Sequence, residues 1–132
     1  MTNSNHYKIY NSKQWKSIRR QRLNNNPLCE CCLLEDKTTP AQEVDHIISI
    51  VDRSGVIYPE YNVYNNTMSL CKEHHRRVTH HEYKLRPKLI QLLDNPPTIT
   101  DTEYITIKDY KLQYMLQLPK IVVFGSDGFP IN

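Results

Sequence analysis

Asp45-His46, Asn65-Asn66 and Cys71-Lys72-Glu73-His74-His75-Arg76-Arg77 fall in one run from Glu43 to Glu82, with Leu28-Cys29-Glu30-Cys31-Cys32 a short way upstream. The reading of this run decides the fold. Cys29-x-x-Cys32 and Cys71-x-x-His74 are two paired-ligand knuckles. A C-x-x-C turn brings two thiolates to one side of an ion, and the second knuckle closes the other side as it starts a helix. Zinc takes four such ligands in a tetrahedron, at about 2.3 Å for sulfur and about 2.0 Å for nitrogen; four protein ligands leave no open position, so the site is structural. The plainer alternative, free buried cysteines, is weakened by the presence of two knuckles. Cys31 is left as a spare thiol.

His74 and His75 are adjacent, and neighbouring helical residues point about 100° apart. They do not share one ion easily. If His74 completes the zinc site, His75 faces elsewhere, towards a second centre or towards solvent. Glu43 to Ile50 reads as a short strand, with Val44, His46 and Ile48 on one face and Asp45 and Ile47 on the other. A helix is expected from about Ser69 to Leu85, with Leu70, His74, Val78, His81 and Leu85 on one stripe and Pro87 ending or kinking it. Leu89 to Leu93 reads as one more short helix.

Upstream, Ser12 is placed to cap a helix whose apolar stripe is Trp15, Ile18 and Leu23, with Arg19, Arg20 and Arg22 on its solvent side. Asn24-Asn25-Asn26-Pro27 ends it. Asn95-Pro96-Pro97 is the clearest linker. It divides the chain into residues 1–95, which carry all the chemistry, and a 96–132 extension of unknown role. In the extension a helix is expected over Thr100 to Leu118. A strand then follows from Lys120 to Phe124, and a turn at Ser126-Asp127-Gly128 leads to Phe129-Pro130-Ile131.

The net charge of +3 hides an uneven distribution. Residues 1–28 hold Lys8, Lys13, Lys16, Arg19, Arg20 and Arg22 and no acid; residues 71–90 hold six further cations against Glu73 and Glu82. Two basic stretches on one small domain point to a polyanion, against the plainer reading of two solvated helix faces. No apolar run approaches the ~18 residues of a membrane span, and the polar start, Met1 to His6, has no signal-peptide core. The expected location is the cytoplasm, where four cysteines favour metal over disulfides.

The set Asn26-Pro27-Leu28-Cys29-Glu30-Cys31-Cys32, Val44-Asp45-His46-Ile47 and Asn66-Thr67-Met68-Ser69-Leu70-Cys71-Lys72-Glu73-His74-His75 resembles the HNH endonuclease family, in particular small phage-encoded members with zinc knuckles. The likeness spans about Trp15 to Glu82, with a weaker echo in the tail Gly125-Ser126-Asp127-Gly128-Phe129-Pro130. It implies an α+β fold: a ββα-metal core with a structural zinc site, flanking helices and a C-terminal strand or hairpin. It implies His46 as general base, Asp45 and His75 as holders of a catalytic divalent ion such as Mg2+ or Mn2+, and Asn66 as a residue that orders the loop, orients the base or touches the metal. It also implies a DNA substrate, a phage origin with action in the bacterial host cytoplasm, and a link to packaging terminase.

The residue chemistry agrees. A neutral imidazole, titrating near ~6.5, can take a proton from water, and a divalent ion can relieve charge on phosphate and leaving oxygen. Asp45 and His46 point to opposite faces of a regular strand, so their joint use needs a bend. Many knuckled relatives have cysteine where His74 stands, and some place a histidine where Thr79 stands. His80 and His81 are then either a third ligand or surface and packing residues. Arg19, Arg20, Lys72, Arg76 and Arg77 are the expected phosphate contacts, and Trp15 is a core residue or a base-stacking one. Against this stands a non-catalytic, zinc-stapled nucleic-acid-binding module, which has no use for Asp45, His46 and His75 together. A zinc-held protein-interaction domain explains neither these residues nor the basic stretches.

Overall fold

The computed structural model describes residues 8–118, together with the short strand pair at 123–124 and 130–131. Helix α1 (Lys13–Asn25) starts as expected: the Ser12 side chain caps it by accepting from the Trp15 amide. Trp15, Ile18 and Arg22 form its buried stripe. The expectation of an outward Arg22 is therefore corrected. It lies seven residues after Trp15 and four after Ile18, on the same helical face. Its guanidinium donates to Thr67 Oγ1 at 2.9 Å, Asn26 Oδ1 at 2.6 Å and the Tyr64 carbonyl at 3.2 Å, and lies 4.0 Å from the Tyr64 ring centre. A buried cation with its donors filled in this way is tolerated.

The first knuckle opens the short helix α2 (Glu30–Leu34), with Cys29 at its N-cap. Strands β1 (Glu43–His46) and β2 (Thr67–Leu70) pair antiparallel, Glu43 opposite Leu70 and His46 opposite Thr67. The alternation expected in β1 holds, with Val44 and His46 buried, but the strand stops at His46 instead of Ile50. The backbone groups that would continue the ladder have other partners. The Ile47 amide donates to the Asn66 carbonyl and the Ile48 amide to Asn66 Oδ1, while the His46 and Ile47 carbonyls accept from Lys111 Nζ. The loop back to β2 contains two single-turn 3-10 segments, Pro59–Tyr61 and Tyr64–Asn66.

The single helix expected over Ser69–Leu85 is two. Ser69 and Leu70 belong to β2, which pairs with β1; α3 (Lys72–Thr79) starts after Cys71, and α4 (Glu82–Gln91) follows a break at His80-His81. Pro87 neither ends nor delimits α4, which runs through it and absorbs the short helix expected from Leu89. Tyr83 and Pro87 are both exposed, so the lost backbone bond falls on the solvent side. Helix α5 (Asp101–Leu116) has a full capping box between Thr100 and Glu103. Strands β3 (Val123–Phe124) and β4 (Pro130–Ile131) pair antiparallel as expected; the turn at Ser126-Asp127-Gly128 lies outside the described residues.

The β1–loop–β2–α3 unit is the expected ββα arrangement, and the fold is α+β. Its core residues Ile47, Ile48, Met68, Leu70 and Val78 form one cluster with Leu85 and Leu89 of α4 and Tyr104, Ile107 and Met115 of α5. The helix beyond the Asn95–Pro97 segment thus shares the core of the ββα unit. A smaller cluster joins Trp15, Ile18 and Val44. Among the described residues no helix is long and apolar enough to cross a membrane.

Candidate active site

The knuckles meet. Donor atoms of Cys29, Cys32, Cys71 and His74 all lie within 4.8 Å of one another, and all four residues are buried. His74 Nδ1 is 3.4 Å from the sulfurs of Cys29 and Cys32 and 3.3 Å from that of Cys71, and the Cys32 and Cys71 sulfurs are 3.9 Å apart. A tetrahedron with the bond lengths of zinc has edges of about 3.8 Å between sulfurs and about 3.5 Å from sulfur to nitrogen. The cage therefore fits a tetrahedral ion of that size. Burial pushes the Cys29 thiol up to about 12 and lowers His74, the latter helped by Arg77. A neutral imidazole suits ligation, and thiolates in so dry a place need a cation beside them. On its outer side His74 Nε2 faces Glu35 Oε1 at 3.5 Å, the kind of carboxylate partner that fixes a ligating ring. Cys31 is also buried but stands outside this group.

One residue further along α3, His75 turns to the other centre. Its Nδ1 lies 3.8 Å from Asp45 Oδ2. That span is shorter than two bonds of about 2.1 Å, so one hard divalent ion fits between them. Asp45 Oδ1 accepts from the His46 amide at 3.0 Å, which turns Oδ2 towards His75. The buried Nδ1 of His75 has no hydrogen-bond partner among the described residues, as expected of a nitrogen kept for a metal.

Asp45, His46 and His75 line one cleft of about 390 Å³, with Tyr10, Trp15, Arg19, Thr79 and Glu82 among its other walls. Asp45 and His46 reach this cleft from the last two positions of β1, without a bend between them; the chain bends after His46, at Ile47 and Ile48. His46 is almost fully buried beneath Trp15, with ring centres 4.6 Å apart. His46 Nε2 donates to Asn62 Oδ1 at 3.0 Å, leaving Nδ1 as the basic nitrogen, which the Tyr10 hydroxyl approaches at 3.3 Å. Burial, then Asp45 and Glu82, raise the Tyr10 hydroxyl, which keeps it a donor. Burial also raises the Glu82 carboxyl to about 7, with Lys111 pulling against it.

Asn66 lies away from the cleft. It is fully buried, accepts from the Ile48 amide and donates to the Ile48 and Tyr61 carbonyls, bridging the loop. Neither His80 nor His81 joins Asp45 and His75 in a three-ligand group; His80 is exposed and His81 meets the Tyr114 ring. Arg19 stands at the cleft, Arg20 beside it on α1, and Lys72 and Arg76 are exposed on α3. Arg77 does not join them: it is buried and paired with Glu73 one turn back.

Residues 29–81 match the family model for HNH endonuclease. A solved structure, the HNH endonuclease of the deep-sea thermophilic bacteriophage GVE2 crystallised with manganese ion, is 32% identical. The match covers 62% of this chain and 86% of that one, with a TM-score of 0.53. The chain belongs to the HNH endonuclease family. No curated protein sequence matches significantly. Asn62, Tyr10, Glu35 and Glu82 touch or line the two centres of this HNH chain, and the motif does not name them. Asn62 carried a faint signal, as a second asparagine in the loop before Asn66; the others are visible only once the chain is folded.

Proposed function

We propose that the chain is a metal-dependent endonuclease that hydrolyses phosphodiester bonds in DNA. The observation that carries this reading is the shared cleft: a buried imidazole with a fixed tautomer stands beside an acid–histidine pair whose spacing suits one hard ion. His46 Nδ1 takes the proton of the attacking water, displacing the Tyr10 hydroxyl as its partner, while Asn62 holds the far side of the ring. The water oxygen attacks phosphorus, one P–O ester bond breaks, and the leaving oxygen is protonated from solvent. Asp45 and His75 would hold a divalent ion such as Mg2+ or Mn2+, which supplies positive charge to the phosphate and the departing oxygen. The neighbour's crystallisation with manganese supports this choice. Asn66 orders the loop that carries Asn62. Arg19, Arg20, Lys72 and Arg76 bind backbone phosphates and give affinity without base reading.

The knuckle ion in this reading is Zn2+, supported by the three sulfurs and one nitrogen at tetrahedral spacing. Family kinship carries the further proposals that the chain is phage-encoded, works in the host cytoplasm and acts beside terminase subunits. The test is plasmid cleavage with added Mg2+ or Mn2+, comparing wild type with His46→Ala. The expected loss is about 10²–10⁴-fold, with knuckle metal and melting temperature retained. Equal cleavage by both proteins removes His46 as the base. DNA binding without cleavage by the wild type restores the binding-module alternative.

A further inference from the structure

Lys111 lies on the inward stripe of α5, outside the family-matching stretch, and is 0% exposed. Its ammonium donates to the His46 carbonyl at 3.0 Å, to the Ile47 carbonyl at 2.7 Å, and to both carboxylate oxygens of Glu82 at 3.0 and 3.2 Å. All three of its donors are thus engaged. The two carbonyls belong to the point where β1 leaves the ribbon, immediately after Asp45. Glu82 opens α4 and forms a wall of the cleft.

A buried ion pair is a poor device for stability alone, since apolar residues of similar volume hold a fold as well or better. What apolar residues cannot do is hold two carbonyl oxygens in place. Where the chain turns out of β1 after His46, the His46 and Ile47 carbonyls are fixed by Lys111, and Lys111 is itself held by Glu82. One turn earlier on α5, Lys108 donates to Glu30 beside the first knuckle at 3.0 Å. The helix therefore touches the frame of both centres.

We propose that Lys111 and Glu82 are positioning residues for the cleft, fixing the end of β1 that carries Asp45 and His46, so that α5 is a working part of the nuclease. This rests on the nuclease reading of the cleft. Glu82 acts through Lys111 and not as a third ligand, since among the described residues it forms no three-ligand group with Asp45 and His75.

The test compares wild type, Lys111→Met/Glu82→Met and Glu82→Gln. Four quantities are read: kcat, KM for plasmid, melting temperature, and Mn2+ affinity by electron paramagnetic resonance, which needs no turnover. The double variant is expected to stay folded but melt below wild type, because the two opposite charges leave together while the His46 and Ile47 carbonyls lose their donor. Its kcat falls at least about tenfold through misplacement, KM stays unchanged and Mn2+ binding weakens severalfold. Wild-type kcat and Mn2+ affinity in the double variant overturn the proposal. If the double variant does not fold, Glu82→Gln decides. It keeps an acceptor for Lys111, and is expected to lower kcat by about threefold; wild-type kcat and Mn2+ affinity there overturn the proposal equally. A wild type that binds Mn2+ without cleaving DNA sinks the nuclease reading, while the Mn2+ affinities still test the positioning role.

Discussion

The two centres of this molecule share helix α3 but are built from different donors and closed to different degrees. At the knuckles, four soft or borderline donors converge in a buried cage. At the cleft, one carboxylate and one half-buried imidazole face an open cavity. Adjacent residues of α3 serve them separately, His74 one and His75 the other, because successive helical side chains diverge by about 100°. Closure sets the role. A cage with every position filled can staple but cannot exchange ligands, whereas a pair of ligands beside a cleft leaves room for water and phosphate. In the proposed reading, an ion at the knuckles fixes α3 and so places His75 for an ion at the cleft.

If this division is right, damage to each centre should read out differently. Cys71→Ser should produce the largest effect. It removes a ligand at the N-cap of α3, and apparent zinc binding worth about 10 kcal/mol or more acts as folding energy in small metal-stapled domains. The expected result is loss of bound metal and of cooperative thermal unfolding, measured by metal analysis and circular dichroism. A variant that melts like wild type would show that the cage does not hold the fold.

His75→Ala should break the other half of the comparison. Loss of a ligand to the cleft ion should cost several kcal/mol of barrier, roughly a hundredfold or more in cleavage rate. Knuckle metal and melting temperature should not move. If His75→Ala also released the knuckle metal, the two histidines would not be serving separate sites.

A smaller, graded effect is expected from pH. Burial raises the Cys29 thiol to about 12, so at neutral pH its ligation of a metal must expel a proton. The sign follows: metal retention weakens as pH falls and strengthens as it rises, which a colorimetric chelator can follow. Retention that does not change between neutral and acid pH would contradict thiolate ligation.

The knuckles were legible in the sequence because their ligand pairs are local: three-residue spacings survive any uncertainty about tertiary structure. The nearness of Asp45, His46 and His75 was legible through resemblance, and the α1 cap through Ser12. What escaped depends on partners distant in sequence. The apolar alternation through Ile48 promised a longer strand, but Asn66 and Lys111 take the backbone groups that a ladder would use. Arg22 looked like a surface cation because its acceptors, Thr67 Oγ1 and the Tyr64 carbonyl, lie on the other strand and loop. The break at His80-His81 was hidden by an apolar stripe that continues in register from Val78 to Leu85. No local pattern marks Lys111, one of many helix lysines, as buried.

The most direct test is anomalous diffraction from crystals grown with Mn2+, recorded at the zinc and manganese absorption edges. A zinc peak is expected enclosed by Cys29, Cys32, Cys71 and His74, with a separate manganese peak between Asp45 and His75 in the cleft that holds His46. A single shared peak, or manganese bound away from that cleft, would contradict the two-centre reading.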